Sequence, residues 1–242
     1  MKILSIGNSF SQDSHRYLAE IAKKEGQEVK TVNLVIGGCT LRTHYINMLE
    51  DRKAYGFTFN GMNTGLPVSI REVLVSDDWD VITFQQASHL SGFEDSYTPY
   101  LTELVDYAKK YCPKAKIYIH QTWVYSDEEA IIKRGYEGPE HMFDSLKKCY
   151  KKAVKLIKAD GIIPSGEVMW KAHKDGIEKV HRDGSHASLG VGRYMLGLTW
   201  YRILFNKDIT ENDFNNFDEP VSEEERKIAI NAVNEVTKNY IL

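Results

Sequence analysis

The chain has 242 residues, of which 42% are hydrophobic, 27% charged and 11% aromatic, enough for one large hydrophobic core. Its formal net charge of −3 comes from 34 acidic and 31 basic residues, which are spread along the whole chain. With no basic stripe and no apolar run near the ~20 residues that span a bilayer, the sequence argues against nucleic acid and membrane as partners.

The cysteines and the amino terminus bear on the cellular compartment. The chain has three cysteines, Cys39, Cys112 and Cys149. An odd number of cysteines without CxxC spacing is typical of free thiols in a reducing compartment. The apolar run after Lys2 ends at Gly7, too short for the ~7–15 residues of a signal-peptide core. We therefore expect a cytoplasmic protein, unless an export sequence was removed.

The first predicted strand covers residues 2–6 and is followed by a helical pattern that includes Leu18, Ile21 and Ala22. Further strands are predicted over residues 29–36, 81–84, 117–119 and 161–164, and long helices over 142–158 and 189–205. Residues 55–74 look like an insertion, within which Asn60-Gly61 favours the turn of a hairpin.

Strands that alternate with helices predict the fold class, an α/β protein with a central parallel sheet of about five strands. No internal repeat, low-complexity tract or Pro/Gly-rich linker interrupts the chain, so residues 1–242 are interpreted as one domain. In sheets of this type ligands bind outside the carboxyl ends of the strands, where each predicted strand here runs into small or polar residues.

Ser9 follows the first strand directly, in Gly7-Asn8-Ser9-Phe10-Ser11. A serine at a strand-to-helix junction can present its hydroxyl at the edge of the sheet, and its own N–H can stabilise a developing oxyanion. Alternatively, Ser9 or Ser11 only caps the helix. The segment fits neither the Gly-x-Gly-x-x-Gly of a dinucleotide site nor the Gly-x-Ser-x-Gly nucleophile elbow.

Asp183 and His186 lie three residues apart, just before the last long apolar helix. A carboxylate at this spacing can hydrogen-bond the imidazole and fix its tautomer, as a general base acting on a serine requires. Two alternatives remain open: Asp183 caps a turn beside a surface histidine, or His181, Asp183 and His186 bind a metal ion.

Taken together, these segments resemble the SGNH (GDSL-like) hydrolase superfamily. Residues 7–11 resemble its first block, which carries the nucleophile. Residues 37–41 resemble the second block, in which a glycine N–H, here that of Gly38, binds the oxyanion. Residues 183–186 resemble the fifth block, which supplies the acid and the base. Residues 81–88 occupy the place of the third block. The sequences of these blocks, together with residues 120–123, most resemble the branch of the superfamily catalogued as DUF4886. The resemblance implies a three-layer α/β/α sandwich, the flavodoxin-like SGNH hydrolase fold.

This chain departs from the family pattern at two positions. Asn8 replaces the usual aspartate before the nucleophile, so amide hydrogen bonds must orient the block. The Gly-x-Asn-Asp tetrapeptide, whose asparagine is the third oxyanion donor, is missing. A glutamine amide offers the same donor, and we predict Gln85 in this role, with Gln86 second and His89 below both. Ordinary loop hydrogen bonding is the alternative for the two glutamines.

The resemblance implies a serine esterase with the triad Ser9, His186 and Asp183 and an oxyanion hole formed by Ser9, Gly38 and Gln85. It acts on short-chain esters, acetyl groups on carbohydrates above all, without metal or organic cofactor. Gln86, Gln121 and Trp123 are candidates for substrate binding, although Trp123 also suits a core position. Two other classes stay open: a flavodoxin-like module that binds a phosphate or small molecule without catalysis, and a metal-dependent hydrolase centred on His181, Asp183 and His186.

Overall fold

The computed structural model describes residues 1–240 and contains a seven-stranded sheet in the order β4-β3-β2-β1-β5-β6-β7. The strands are β1 (Lys2–Gly7), β2 (Lys30–Val35), β3 (Tyr55–Phe59), β4 (Met62–Val68), β5 (Val81–Phe84), β6 (Lys116–His120) and β7 (Gly161–Ile163). β1, β2, β5, β6 and β7 are parallel and correspond to the five predicted strands. Strand order reverses at β1, which lies between β2 and β5, and this is where sheets of this type bind ligands.

Helices cover both faces of the sheet. They are α1 (Ser9–His15), α2 (Leu18–Lys24), α3 (Leu41–Leu49), α4 (Ile70–Leu74), α5 (Tyr100–Tyr111), α6 (Glu128–Lys133), α7 (Pro139–Ile157), α8 (Ser165–Lys174), α9 (Val191–Phe205) and α10 (Glu223–Thr237). α9 contacts α1, α2, α8 and α10 on one face, and α5 contacts α3 and α7 on the other. The predicted three-layer α/β/α fold is therefore confirmed.

The number of strands was predicted incorrectly, because the insertion at residues 55–74 joins the sheet. β3 pairs antiparallel with β2, and β4 pairs antiparallel with β3, which extends the sheet from five strands to seven. The hairpin prediction is confirmed: Asn60 and Gly61 form the two-residue turn with φ of 45° and 77°, as the mirror-image type I turn requires.

The long helices match their predictions to within three residues at each end, whereas the first predicted helix is divided. α1 ends at His15 and α2 begins at Leu18, and buried Tyr17 lies between them. α9 is buried on nearly every side because it lies between the sheet and the outer helices. Among residues 1–240, no helix combines the length and the apolar character needed to cross a membrane.

Candidate active site

Ser9 lies two residues beyond the end of β1, as the first residue of α1, and its hydroxyl is not used to cap the helix. The N-cap is Asn8, whose Oδ1 accepts the Phe10 N–H at 3.0 Å. Ser11 completes the cap by accepting the Asn8 N–H at 3.1 Å. The Ser9 hydroxyl therefore stays available for His186, whose Nε2 lies 2.8 Å from Ser9 Oγ.

Asp183 and His186 lie on a short closed loop. His181 and Ala187 form an antiparallel bridge across its base, and the Arg182 N–H donates to the His186 carbonyl at 3.0 Å. Inside the loop, Asp183 Oδ1 accepts the N–H groups of Ser185 and His186 at 2.8 and 2.7 Å. These bonds turn the second carboxylate oxygen, Oδ2, toward His186 Nδ1 at 2.8 Å.

Ser9, His186 and Asp183 thus form a continuous hydrogen-bonded chain with the geometry of a catalytic triad. Because the carboxylate can only accept, His186 Nδ1 carries a proton and Nε2 is the acceptor that faces Ser9. Partial burial acts to raise the pKa of Asp183, but the His186 and Ser185 N–H groups and the imidazole outweigh it and hold that pKa well below its usual range. The carboxylate stays ionised throughout the neutral range.

An ion-pair cluster connects the loop of residues 181–187, named the acid–base loop for its predicted role, to the helix that carries Ser9. Asp13 of α1 is buried, and both its oxygens accept from the Arg182 guanidinium at 2.9 and 2.8 Å. Arg193 of α9 donates to the same carboxylate at 2.9 Å. Arg182 also donates to the Ala187 carbonyl at 2.6 Å. The Asp13 carboxylate on α1 therefore holds both α9 and the loop in place through the two arginines.

Two backbone N–H groups of the predicted oxyanion hole have no acceptor among the described residues, those of Ser9 and Gly38. Ser9 is the first residue of its helix, where an N–H has no intrahelical partner. Gly38 has φ of 62°, a left-handed conformation that favours glycine, and lies on the exposed loop after β2. Asn8 Nδ2 donates to the Cys39 carbonyl at 3.2 Å and connects the two segments.

Gln85 does not lie where the sequence predicts it, because it is buried behind Asn8 at 2% exposure and does not line the cleft beside Ser9. Its Nε2 donates to Asn8 Oδ1 at 2.6 Å, and its Oε1 accepts from His120 Nδ1 at 2.7 Å. The amide predicted as an oxyanion donor instead orients Asn8, the residue that precedes Ser9.

Gln86, Gln121 and Trp123, the predicted substrate-binding residues, are buried and also lie outside the cleft. Gln86 Oε1 accepts the N–H groups of Leu41 and Ala87 at 3.0 and 2.8 Å, and Gln121 bonds to Glu167. The amide groups of both glutamines are therefore engaged in hydrogen bonds within the protein.

Trp123 supports the acid–base loop from below. Its ring is fully buried and stacks on Phe10 with centroids 4.2 Å apart, and its Nε1 donates to the Ser185 carbonyl at 2.8 Å. The Phe10 ring in turn lies 5.7 Å from the His186 ring. Trp123 thus fixes two neighbours of the triad, and its position explains why a core interpretation of this tryptophan fits better than a sugar-stacking one.

The Ser9 hydroxyl opens into a cleft of about 240 Å³ whose outer wall comes from residues that the sequence analysis did not assign. Ser88 Oγ and Tyr125 OH lie 2.6 Å apart in this wall, and Arg134 lies over the Tyr125 ring at 5.6 Å from its centroid. Ser88 belongs to the third sequence block and could have been found there. Arg134 directly follows α6, a helix that no sequence motif indicates.

The residues of the alternative metal site do not converge. His181 Nε2 lies 2.9 Å from the Val124 carbonyl, whereas His186 Nε2 is directed at Ser9 and Asp183 at the imidazole and the loop. Within residues 1–240, no three His, Cys, Asp or Glu side chains are grouped so that they could share an ion. Burial raises the pKa of the Cys39 thiol to about 12, so a thiolate is disfavoured beside the site.

Comparisons with known proteins agree with this architecture. The structure superposes on that of a DUF4886 family protein from Bacteroides uniformis with a TM-score of 0.91 and 33% identity, over 98% of this chain and 95% of the other. Two more distant structures share the fold. A candidate SGNH hydrolase from Slackia heliotrinireducens superposes with a TM-score of 0.58 and 22% identity, over 83% of this chain and 96% of the other. A carbohydrate esterase family 3 protein from Talaromyces cellulolyticus superposes with a TM-score of 0.56 and 11% identity, over 85% of this chain and 97% of the other.

Two sequence comparisons complete the assignment. A search of curated proteins finds no match. The profile of a family described as a domain of unknown function, DUF4886, matches residues 2–236, nearly the full length. The predicted resemblance is confirmed: the chain belongs to the DUF4886 family and has the fold of SGNH hydrolases.

Proposed function

We propose that this protein is a serine esterase that hydrolyses short-chain esters, acetyl groups on carbohydrates above all. The observation that carries the proposal is the hydrogen-bonded chain from Ser9 Oγ through His186 to Asp183, with 2.8 Å at each step. A nucleophile bonded to a base, which is itself oriented by a carboxylate, is the arrangement that activates a serine.

The reaction proceeds through an acyl-enzyme. His186 Nε2 takes the Ser9 proton as the serine oxygen attacks the ester carbonyl, and the imidazolium formed is stabilised by Asp183. His186 then donates that proton to the leaving alcohol as the ester C–O bond breaks. A water molecule attacks the acyl-serine with His186 again as base, which releases the acid and restores Ser9.

The oxyanion is held by the N–H groups of Ser9 and Gly38, which have no acceptor among the described residues. Ser88 is our candidate for the side-chain donor that an asparagine of the third block supplies in the SGNH superfamily pattern. The Ser88–Tyr125 pair has two hydroxyl protons and uses one in its mutual bond, which leaves one for the cleft. Burial, the largest effect, raises the pKa of Tyr125, so this hydroxyl keeps its proton at neutral pH.

Two features support a short acyl chain and a sugar alcohol. The cleft of about 240 Å³ is small, and we see no long apolar channel among the residues that line it. The fold is shared with a carbohydrate esterase, and the family resemblance implies acetylated sugars.

Hydrolysis of p-nitrophenyl esters by the wild type and by Ser9→Ala tests this proposal. We expect the acetate to be cleaved much faster than the octanoate, and EDTA to have no effect. Ser9→Ala should fold normally and retain at most the residual ~10³–10⁴-fold acceleration over water that an oxyanion hole and binding provide. Near-normal turnover by folded Ser9→Ala, or a preference for octanoate, would contradict the proposal.

A further inference from the structure

Arg134 brings a positive charge into the cleft without a carboxylate to balance it. It is exposed and follows α6, and among the described residues no carboxylate oxygen lies within ion-pair distance of its guanidinium. Arg16, Arg71 and Arg193, by contrast, are each paired with an aspartate. The guanidinium of Arg134 lies over the face of the Tyr125 ring, 5.6 Å from its centroid.

The rest of the cleft wall leaves this charge uncompensated. Of the described residues that line the cleft with Ser9, none is acidic; Asp183 lies behind the imidazole of His186. His89 lies in the same wall, and its pKa is lowered by burial and then by the Arg134 charge, so it is neutral at pH 7. An exposed guanidinium in a cleft of this kind is a binding group for an anion.

We infer that Arg134 binds a carboxylate on the alcohol part of the ester, so that the substrate class is an O-acetylated acid. This inference rests on the proposed function, because an acetyl group has no position for a charge and the anion must then belong to the leaving alcohol. A single guanidinium balances a single negative charge, which favours a carboxylate over a phosphate monoester carrying nearly two.

The experiment compares two acetate esters of the same shape, para-acetoxybenzoate and its neutral amide, para-acetoxybenzamide. We expect the wild type to hydrolyse the benzoate with a kcat/KM roughly tenfold higher, mainly through KM, as befits one charge-assisted hydrogen bond. Arg134→Gln should abolish this preference by raising KM for the benzoate far more than for the amide, and Arg134→Lys should keep part of the preference. Added salt should raise KM for the benzoate alone.

Arg52→Gln is the matched control, because it removes an exposed arginine on the loop after α3 that does not line the cleft. It should leave both esters unaffected. An equal loss for both esters in Arg134→Gln would mean that Arg134 only covers Tyr125, and this result, or no preference in the wild type, would overturn the inference.

A binding measurement separates this inference from the proposed function. Titration calorimetry on Ser9→Ala should show that the benzoate binds more tightly than the amide, and the added Arg134→Gln change should remove the difference. If the wild type hydrolyses neither ester while this charge-dependent binding persists, the esterase proposal fails and the anion site stands. If hydrolysis occurs and the binding difference is absent, the anion site fails alone.

Discussion

At Asp183 the two carboxylate oxygens have different partners, and this division defines the residue's role. Oδ1 closes the loop by accepting two backbone N–H groups, while Oδ2 accepts the proton of His186 Nδ1. The first interaction is structural, and the second fixes the tautomer in which Nε2 can accept from Ser9. Substitutions at this residue can therefore separate folding from catalysis.

Asp183→Asn should keep the loop folded and lower kcat by up to ~10⁴-fold, because an amide can still accept the two N–H bonds but favours the wrong imidazole tautomer. His186→Ala should be at least as damaging, since it removes the base itself. Steady-state kinetics with p-nitrophenyl acetate measures both. His181→Gln serves as control, and we expect a much milder loss. An essential His181 beside a dispensable His186 would show that the base is misassigned.

At the scale of secondary structure elements, Asn8 connects α1, the helix that carries Ser9, to the loop of Gly38. One side chain caps α1, donates to the Cys39 carbonyl and accepts from Gln85, and the residue is 1% exposed. Gln85 is in turn held by His120 at the end of β6. The carboxyl ends of β1, β2, β5 and β6 are thus connected by one buried chain of amide and imidazole hydrogen bonds.

Asn8→Asp restores the residue usual in the superfamily, yet in this chain we expect it to be harmful. The new carboxylate oxygen would face the Cys39 carbonyl oxygen where Nδ2 now donates at 3.2 Å, in a site with little access to water. A lost buried hydrogen bond of this kind costs about 1–3 kcal/mol of unfolding free energy, with more if the group is charged. The unfolding free energy measured with urea and the kcat/KM for p-nitrophenyl acetate should both be lower than in the wild type.

Asn8→Ala is the comparison variant for this effect. It removes the cap of α1 and the acceptor of Gln85 Nε2 as well as the donor to Cys39, whereas Asn8→Asp keeps the first two. We expect Asn8→Ala to lose more unfolding free energy than the ~1 kcal/mol of a missing helix cap alone. An Asn8→Asp protein as stable and active as the wild type would show that the amide donor is not needed.

The sequence predicted the elements whose signals are local. Ser9 and Gly38 come shortly after predicted strands, and Asp183 and His186 come just before a predicted apolar helix. The motifs around them resemble the SGNH blocks in the same order along the chain. Gln85 was placed incorrectly because the side chain of a residue after a strand can point toward the cleft or away from it, and the sequence does not distinguish the two. Ser88, three residues later, lines the cleft instead.

Other features depend on contacts between distant segments. β4 contains Gly65 and Pro67, which weaken a strand prediction, and it forms because it pairs with β3. Arg134 reaches the cleft only because α6 packs beside the acid–base loop, where Asp127 lies under Gly184. The sequence alone contains no periodicity or motif that would predict the position of α6 or of Arg134.

At the scale of the whole molecule, three histidines are buried and uncharged. His15, His44 and His120 are at most 1% exposed, and burial lowers the pKa of each to about 3; for His120, the repulsion that would arise if His15 were also protonated lowers the pKa further. In the unfolded chain their pKa values return to about 6.5. Their contribution to stability is therefore complete above pH 6.5 and is lost progressively as the pH falls toward 3.

We expect the unfolding free energy to fall as the pH is lowered from 7 to 5, with each histidine contributing up to about 1.4 kcal/mol per pH unit. His44 allows a clean test, because it contacts Tyr55 and Cys39 and lies outside the cleft. Urea unfolding of His44→Gln should show a shallower pH dependence than the wild type. An identical slope would mean that His44 does not stay neutral in the folded protein.

The central claim is that Ser9 is a nucleophile activated by His186, and labelling with a fluorophosphonate followed by intact-mass and peptide analysis tests it most directly. The account predicts one adduct per chain, located on Ser9, which is absent in Ser9→Ala and forms much more slowly in His186→Ala. A folded wild-type protein that takes up no label, or one labelled on another serine such as Ser11 or Ser88, would contradict it.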